Sequence, residues 1–196
     1  MKLKLDKWLN EGEFSVEGDR IRISAPALSD FFNNPVPENG VLLEPQKNAP
    51  FFYTDVEGDF VIRVKVKPEF AAVYDAACIM VRQDDKLWFK ACYEKTDFGT
   101  IAMVSVVTNG VSDDANGCNL GADSIWLQVA RVGSTFAIHY SLDGVKFDMV
   151  RIFSLPMEST VKVGIEAQCP TGQGSTHEYS ELSLEKRSLP NIRAGK

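Results

Sequence analysis

Alternation with a period of two runs through most of this chain, and it narrows the available folds more than any other feature. Phe60, Ile62, Val64 and Val66 interleave with Val61, Arg63, Lys65 and Lys67. Successive side chains on a strand point to opposite sides, so this run reads as a strand with one buried face. The same pattern recurs at Ile125, Leu127 and Val129, at Phe136, Ile138 and Tyr140, and at Val161, Val163, Ile165 and Ala167. Turn-forming pairs separate the runs: Gly58-Asp59, Asp84-Asp85, Phe98-Gly99, Asn109-Gly110, Val132-Gly133 and Asp143-Gly144. Long patterns of helical period are missing. Many short strands joined by tight turns predict an all-β antiparallel sandwich or barrel.

The chain has 196 residues, 44% of them hydrophobic, enough to bury a core without disulfides or metal. Twenty-one basic residues face 27 acidic ones, for a formal charge of −6. Nucleic acid and anionic membranes both demand a basic footprint, so neither is an expected partner. The opening MKLKLDKWLNEGEF has no apolar h-region, and nowhere do 18 apolar residues run together. Cys78, Cys92, Cys118 and Cys169 form no CxxC pair, which argues against a zinc ribbon or a thioredoxin-type redox site. Reduced thiols in the cytoplasm are the simplest reading. No linker divides the chain, so residues 1–187 are expected to form one domain. Residues 188–196 are expected to be a flexible tail, and the four-proline run 33–50 an irregular loop. No cofactor is implied.

One hairpin fixes a face. Segments 78–83 and 87–94 are joined by Asp84-Asp85-Lys86, which places Arg82 opposite Trp88, Val81 opposite Phe89, Met80 opposite Lys90 and Cys78 opposite Cys92. Ile79, Val81, Phe89, Ala91 and Tyr93 then share the core side, and a one-residue slip would drive lysine and arginine into it. The other side carries Met80, Arg82, Trp88, Lys90 and Glu94. Strand 101–107 is expected to add Met103 and Ser105, with Val104 and Val106 inward, and Glu166 and Gln168 are expected to reach the same side. Such a mixture suits a groove that binds a ligand, although a covering loop or partner chain would also account for it. In the binding reading Trp88 stacks on a sugar ring and Arg82 and Lys90 hold hydroxyls or anionic groups. Glu94, Ser105, Glu166 and Gln168 supply further hydrogen bonds.

Other chemistry is thinner. Glycoside hydrolysis needs two carboxylates on one cavity, and Glu94 with Glu166 is the pair to test. Ser112-Asp113-Asp114-Ala115-Asn116-Gly117, with Asp123 beyond it, partly matches a calcium loop but reads better as a polar loop whose Asx side chains cap turns. Cys78 and Cys92 are expected to be packed thiols, since directly opposed strand positions fit a disulfide poorly. His139 and His177 are expected to be exposed strand residues, and no phosphate-binding glycine loop precedes a lysine.

Four blocks resemble a known family. WFKACYE (88–94), SVVTNGVSDD (105–114), LQVARVGSTFAIHYSLDGVKFDMVR (127–151) and VKVGIEAQCPTG (161–172) are similar to a domain-of-unknown-function family. It includes bacterial YesU-type proteins, fungal enolase-regulating proteins and the C-terminal domains of some β-xylosidases. The resemblance covers roughly residues 8–186 and implies a concanavalin A-like jelly roll of about a dozen strands in two antiparallel sheets, one concave. A fold carries little chemistry by itself. The function expected first is non-catalytic binding of a carbohydrate or sugar-related metabolite in the groove, where Arg82 and Lys90 also admit a small anionic metabolite. A protein partner such as a metabolic enzyme comes second, and a cryptic glycoside hydrolase or isomerase third.

Overall fold

A computed structural model describes residues 2–38, 40–41 and 43–196. Asn39 and Leu42, within the proline-rich run, lie outside the described residues. Seventeen strands and no helix follow one another along the described chain. The first seven are β1 (Lys2–Leu3), β2 (Lys7–Leu9), β3 (Phe14–Glu17), β4 (Arg20–Pro26), β5 (Phe31–Phe32), β6 (Gln46–Lys47) and β7 (Phe51–Glu57). Next come β8 (Phe60–Lys67), β9 (Ala76–Arg82), β10 (Leu87–Lys95), β11 (Ile101–Asn109) and β12 (Val111–Asn119). The last five are β13 (Ile125–Val132), β14 (Thr135–Ser141), β15 (Asp148–Ser154), β16 (Thr160–Gln168) and β17 (Gly174–Glu185).

Two antiparallel sheets carry fifteen of these strands, more than the dozen expected. The eight-stranded sheet runs β15-β14-β13-β8-β17-β4-β3, with β1 also paired to β17, and the seven-stranded sheet runs β12-β11-β10-β9-β16-β7-β2. Between them lies the core: Ile62, Val64 and Val66 from β8 meet Ile79, Val81, Phe89 and Tyr93 across the gap, all fully buried. Edge-to-face packing of Phe89 on Phe136 and Phe153, with ring centroids 5.0 and 4.9 Å apart, ties the two sheets at one end. The alternation in β8 appears as burial of Phe60, Ile62, Val64 and Val66 while Arg63 and Lys65 stay partly open. The β9–β10 register is the one expected, with Arg82 opposite Trp88 and Cys78 opposite Cys92. All four cysteines are free thiols.

Several local expectations need correction. Residues 112–117, read as a polar loop, belong to β12. Asn109-Gly110, with Gly110 at φ +82°, turns the chain into an edge strand whose outward positions are polar because they meet water. His139 and His177 are fully buried rather than exposed. His177 accepts the Glu69 N–H on Nδ1 at 3.3 Å and donates Nε2–H to the Gln168 carbonyl at 3.0 Å, so backbone groups satisfy both ring nitrogens. His139 lies beneath the C-terminal residues, its Nε2 3.3 Å from the Arg193 carbonyl. That segment, expected to be a loose tail, is seated on the eight-stranded sheet. Leu189 and Ile192 pack on Val61, Ala130 and Val132, and the Gly195 carbonyl accepts from Gln128 Nε2 at 3.2 Å. Leucine and isoleucine at a spacing of three supplied the apolar contacts that the basic composition hid.

Candidate functional site: a cavity beside a strap

Cross-strand partners share a face, so the outward side of the seven-stranded sheet can be read as rows. Gln168, Ala76, Glu94 and Ala102 form one; Glu166, Cys78, Cys92 and Val104 the next; Gly164, Met80, Lys90, Val106 and Asp114 a third; Arg82 and Trp88 a fourth. Six of the seven residues expected on this face are therefore there. Ser105 is not. It pairs with Ala91, on the core side, where its hydroxyl meets Arg151 Nη1 at 3.3 Å. The five residues between β10 and β11 set Lys90 opposite Val106, which turns Val104 and Val106 outward and Met103 into the core, the reverse of the expected phase. Both phases of IAMVSVV are apolar, so alternation alone could not choose between them.

The face is not an open groove. Residues 29–33 cross it as a strap, anchored at both ends. Ser29 exchanges backbone hydrogen bonds with Cys169 at 3.2 and 3.1 Å. At the far end the Asn33 N–H donates to Ser112 Oγ at 2.9 Å, and Asn33 Nδ2 donates to the Asp85 and Gly110 carbonyls at 3.1 and 3.0 Å. Beneath the strap lies a second apolar cluster of Phe31, Phe51, Met80, Trp88 and Val106. Trp88 is 1% exposed and meets Phe31 edge-on, so it packs a core and offers no stacking platform. Arg82 is drawn to Asp85 and lies under the ring of Phe31. The covering-loop reading holds for this half of the face.

The other half is hollow. A cavity of about 390 Å³ opens beside the strap, within the range of small-molecule sites. Its polar lining includes Asp30, Gln46, Lys90, Glu94, Asp114 and Gln168, and Phe32, Tyr74, Val106 and Pro170 give it apolar walls. Lys90, 1% exposed, sits at the base, and its Nζ donates to Asp30 Oδ1 at 2.6 Å and to Gln168 Oε1 at 2.5 Å. The Gln168 amide donates in turn to the Tyr74 carbonyl at 2.9 Å and, more weakly, to Glu94 Oε2 at 3.5 Å. Asp30, Lys90 and Gln168 are thus oriented before any ligand arrives. Asp30 comes from the strap, and it holds its own geometry by accepting the Phe31 N–H at 2.7 Å.

Burial dominates the electrostatics. It would lower the Lys90 pKa, but the Asp30 and Glu166 carboxylates outweigh it and hold the ammonium charged, well above the ordinary lysine value. Burial raises Glu94 well above a usual carboxylate, against the pull of Lys90, and raises Asp114 in the same way. Glu166, fully buried and outside the cavity lining, has no hydrogen-bond partner on either carboxylate oxygen among the described residues, and burial lifts it to about 7. Glu94 and Glu166 therefore do not present two carboxylates to one cavity, which removes the geometry expected for a hydrolase pair. No cluster of three or more acidic, histidine or cysteine side chains among the described residues is arranged to hold a metal.

Sequence reasoning reached Lys90, Glu94 and Gln168 but missed Asp30, Phe32, Tyr74 and Asp114. Asp114 was reachable, since extending the register through Asn109-Gly110 puts it in line with Val106 and Lys90. Asp30 and Phe32 arrive by a long-range crossing with no local signature.

Fold and cavity together define a concanavalin A-like jelly roll with a preformed polar pocket on the outer side of one sheet. The chain belongs to the family described as a protein of unknown function (DUF1349), which matches residues 8–187. It is 34% identical over 135 residues, 68% of each chain, to the Saccharomyces cerevisiae protein named Regulation of enolase protein 1. A solved structure described as a functionally unknown protein from Saccharomyces cerevisiae superposes with a TM-score of 0.84 at 28% identity, covering 93% of this chain and 97% of that one. The carbohydrate-binding module CBM66 from Bacillus subtilis has the same fold, with a TM-score of 0.58 at 12% identity over 93% of this chain and 97% of that one.

Proposed function

We propose that the protein binds a carbohydrate or sugar-related metabolite in the cavity beside the strap, without catalysis. The supporting observation is the Asp30–Lys90–Gln168–Glu94 chain, a set of fixed donors and acceptors walled by Phe32, Tyr74 and Pro170. A sugar ring needs that combination, with apolar surface for its C–H face and oriented polar groups for its hydroxyls. Among structural relatives, a carbohydrate-binding module shares the architecture. An anionic metabolite is the less favoured form of the idea, because Lys90 is already paired with Asp30 and the remaining charges at the cavity are carboxylates. The test is titration calorimetry against a panel of monosaccharides, repeated with Gln168→Ala. Saturable binding lost in the variant supports the cavity; an empty panel, or binding untouched by the variant, refutes it.

A second reading rests on the curated relative named for regulation of enolase. In it the protein acts in the cytoplasm on a metabolic enzyme, and the ligand sensed in the cavity modulates that contact. Sedimentation of the purified protein with purified enolase, with and without sugar, tests it. Independent migration under both conditions refutes it.

A further inference from the structure

The cavity is lopsided in charge. Three carboxylates, Asp30, Glu94 and Asp114, line it against one ammonium, Lys90. Both hydrogen bonds found for Lys90 are spent inside the protein, on Asp30 and Gln168, and Asp30 is its ion-pair partner. Glu94 and Asp114 have no cation within salt-bridge distance among the described residues. Glu94 is 6% exposed and lines the cavity, yet among the described residues its Oε2 receives only the 3.5 Å contact from Gln168 and its Oε1 receives no hydrogen bond. Asp114, on β12 in the row of Val106 and Lys90, is exposed and lines the rim of the same cavity. A carboxylate withdrawn from water as Glu94 is, with no cation beside it, is costly unless something supplies positive charge or donor hydrogens.

Resting on the carbohydrate reading above, we infer that the preferred ligand is an amino sugar whose protonated amine is received between Glu94 and Asp114. Its hydroxyls meet Gln168 and Gln46, and its ring face lies against the Phe32 and Tyr74 walls. A charge-assisted N–H···carboxylate bond is about twice as strong as a neutral one, so the ammonium gains where a hydroxyl in the same place gains less. Uronic and phosphorylated sugars are disfavoured, since Lys90 is already paired with Asp30 and an added anion finds no other cation among the described residues of the cavity lining. The apolar walls also separate an amino sugar from a simple aliphatic diamine, which brings charge without a ring to cover them. Burial already holds Glu94 and Asp114 towards their protonated forms, and an arriving ammonium favours their ionisation.

The experiment is calorimetric titration of the whole protein at about pH 6.5, below the range in which such an amine loses its proton. The probes are glucosamine, galactosamine and mannosamine, each beside its neutral parent hexose and its N-acetyl derivative, with glucuronate and 1,4-diaminobutane as controls. Expected is one amine binding about tenfold or more tighter than its parent and its N-acetyl form, with glucuronate weakest. In Asp114→Asn, a rim change that leaves the packed network intact, and in Glu94→Gln, that ratio falls to about threefold or less. A neutral hexose binding as tightly as its amine overturns the inference while the carbohydrate reading stands. Diaminobutane binding as tightly as the best amine overturns it too. Silence from every sugar, charged or neutral, takes down the carbohydrate reading and the inference with it.

Discussion

Replacing Glu166 by glutamine should flatten the pH dependence of stability by a calculable amount. Glu166 is fully buried, neither carboxylate oxygen has a hydrogen-bond partner among the described residues, and burial lifts its pKa from 4.5 to about 7 against the pull of Lys90. The sign follows from linkage. Below pH 4.5 the group is protonated in both folded and unfolded chains, and its contribution to stability is fully present. As the pH rises the unfolded chain ionises first, so stability falls until the folded group ionises as well, near 7, and then levels off. A tenfold difference in proton affinity between the two states is worth about 1.4 kcal/mol, and between pH 5 and pH 8 the integrated loss is about 2.5 kcal/mol. For a chain of this length that is about 5–10 °C in melting temperature. A glutamine at this position does not titrate. Urea unfolding of wild type and Glu166→Gln at matched pH values should therefore show their stability difference moving by about 2.5 kcal/mol in the variant's favour from pH 5 to pH 8. A difference that stays constant across this window would mean that Glu166 is solvated or partnered in solution, and would refute the reasoning.

Three further outcomes follow from the packing. Lys90→Met strips the cation from Asp30 and Glu166, and breaking a buried pair this way should cost about 3–5 kcal/mol in urea unfolding; a loss below about 1 kcal/mol would mean that the network is open to water. Gly164→Ala builds a Cβ 1.9 Å from the Phe52 carbonyl oxygen and 2.6 Å from Tyr53 Cα, so a destabilisation above about 4 kcal/mol is expected by circular dichroism melts, and wild-type stability would contradict the β7–β16 pairing. Gly195, at φ +69°, would set a Cβ 2.8 Å from Gln128 Nε2 and 3.3 Å from His139. Gly195→Ala should accordingly cost about 1 kcal/mol and speed hydrogen exchange at the amides of 191–196, and unchanged protection there would show that the segment is not held by this contact.

The fold was legible because its signal is local and repeated. Alternation in β8, β13, β14 and β16 and the tight β9–β10 connection fixed strands, register and the core face together, since a slip would have buried Lys90 among Ile79 and Phe89. The site was legible only in part. Lys90, Glu94 and Gln168 came from that register, but the strap that seals Trp88 and brings in Asp30 is a crossing from residues 29–33 that no periodicity announces. Ser105 was misplaced because both faces of β11 are apolar, leaving its phase to a five-residue loop. The histidines and the C-terminal segment share a cause: their burial depends on backbone carbonyls and on chain that packs back from far away in sequence.

If a sugar occupies the hollow between the strap and the Lys90–Glu94–Gln168 network, its arrival must be felt by the nuclei that line it. Amide and side-chain chemical-shift mapping, during titration with the tightest-binding sugar of the panel, tests this most directly. The largest perturbations are expected at Tyr74, Lys90, Glu94, Val106 and Gln168, with the outer face of the eight-stranded sheet silent. Perturbations centred on Arg20, Arg22, Lys65 and Lys67 of that other sheet, with Lys90 and Gln168 unmoved, would contradict it.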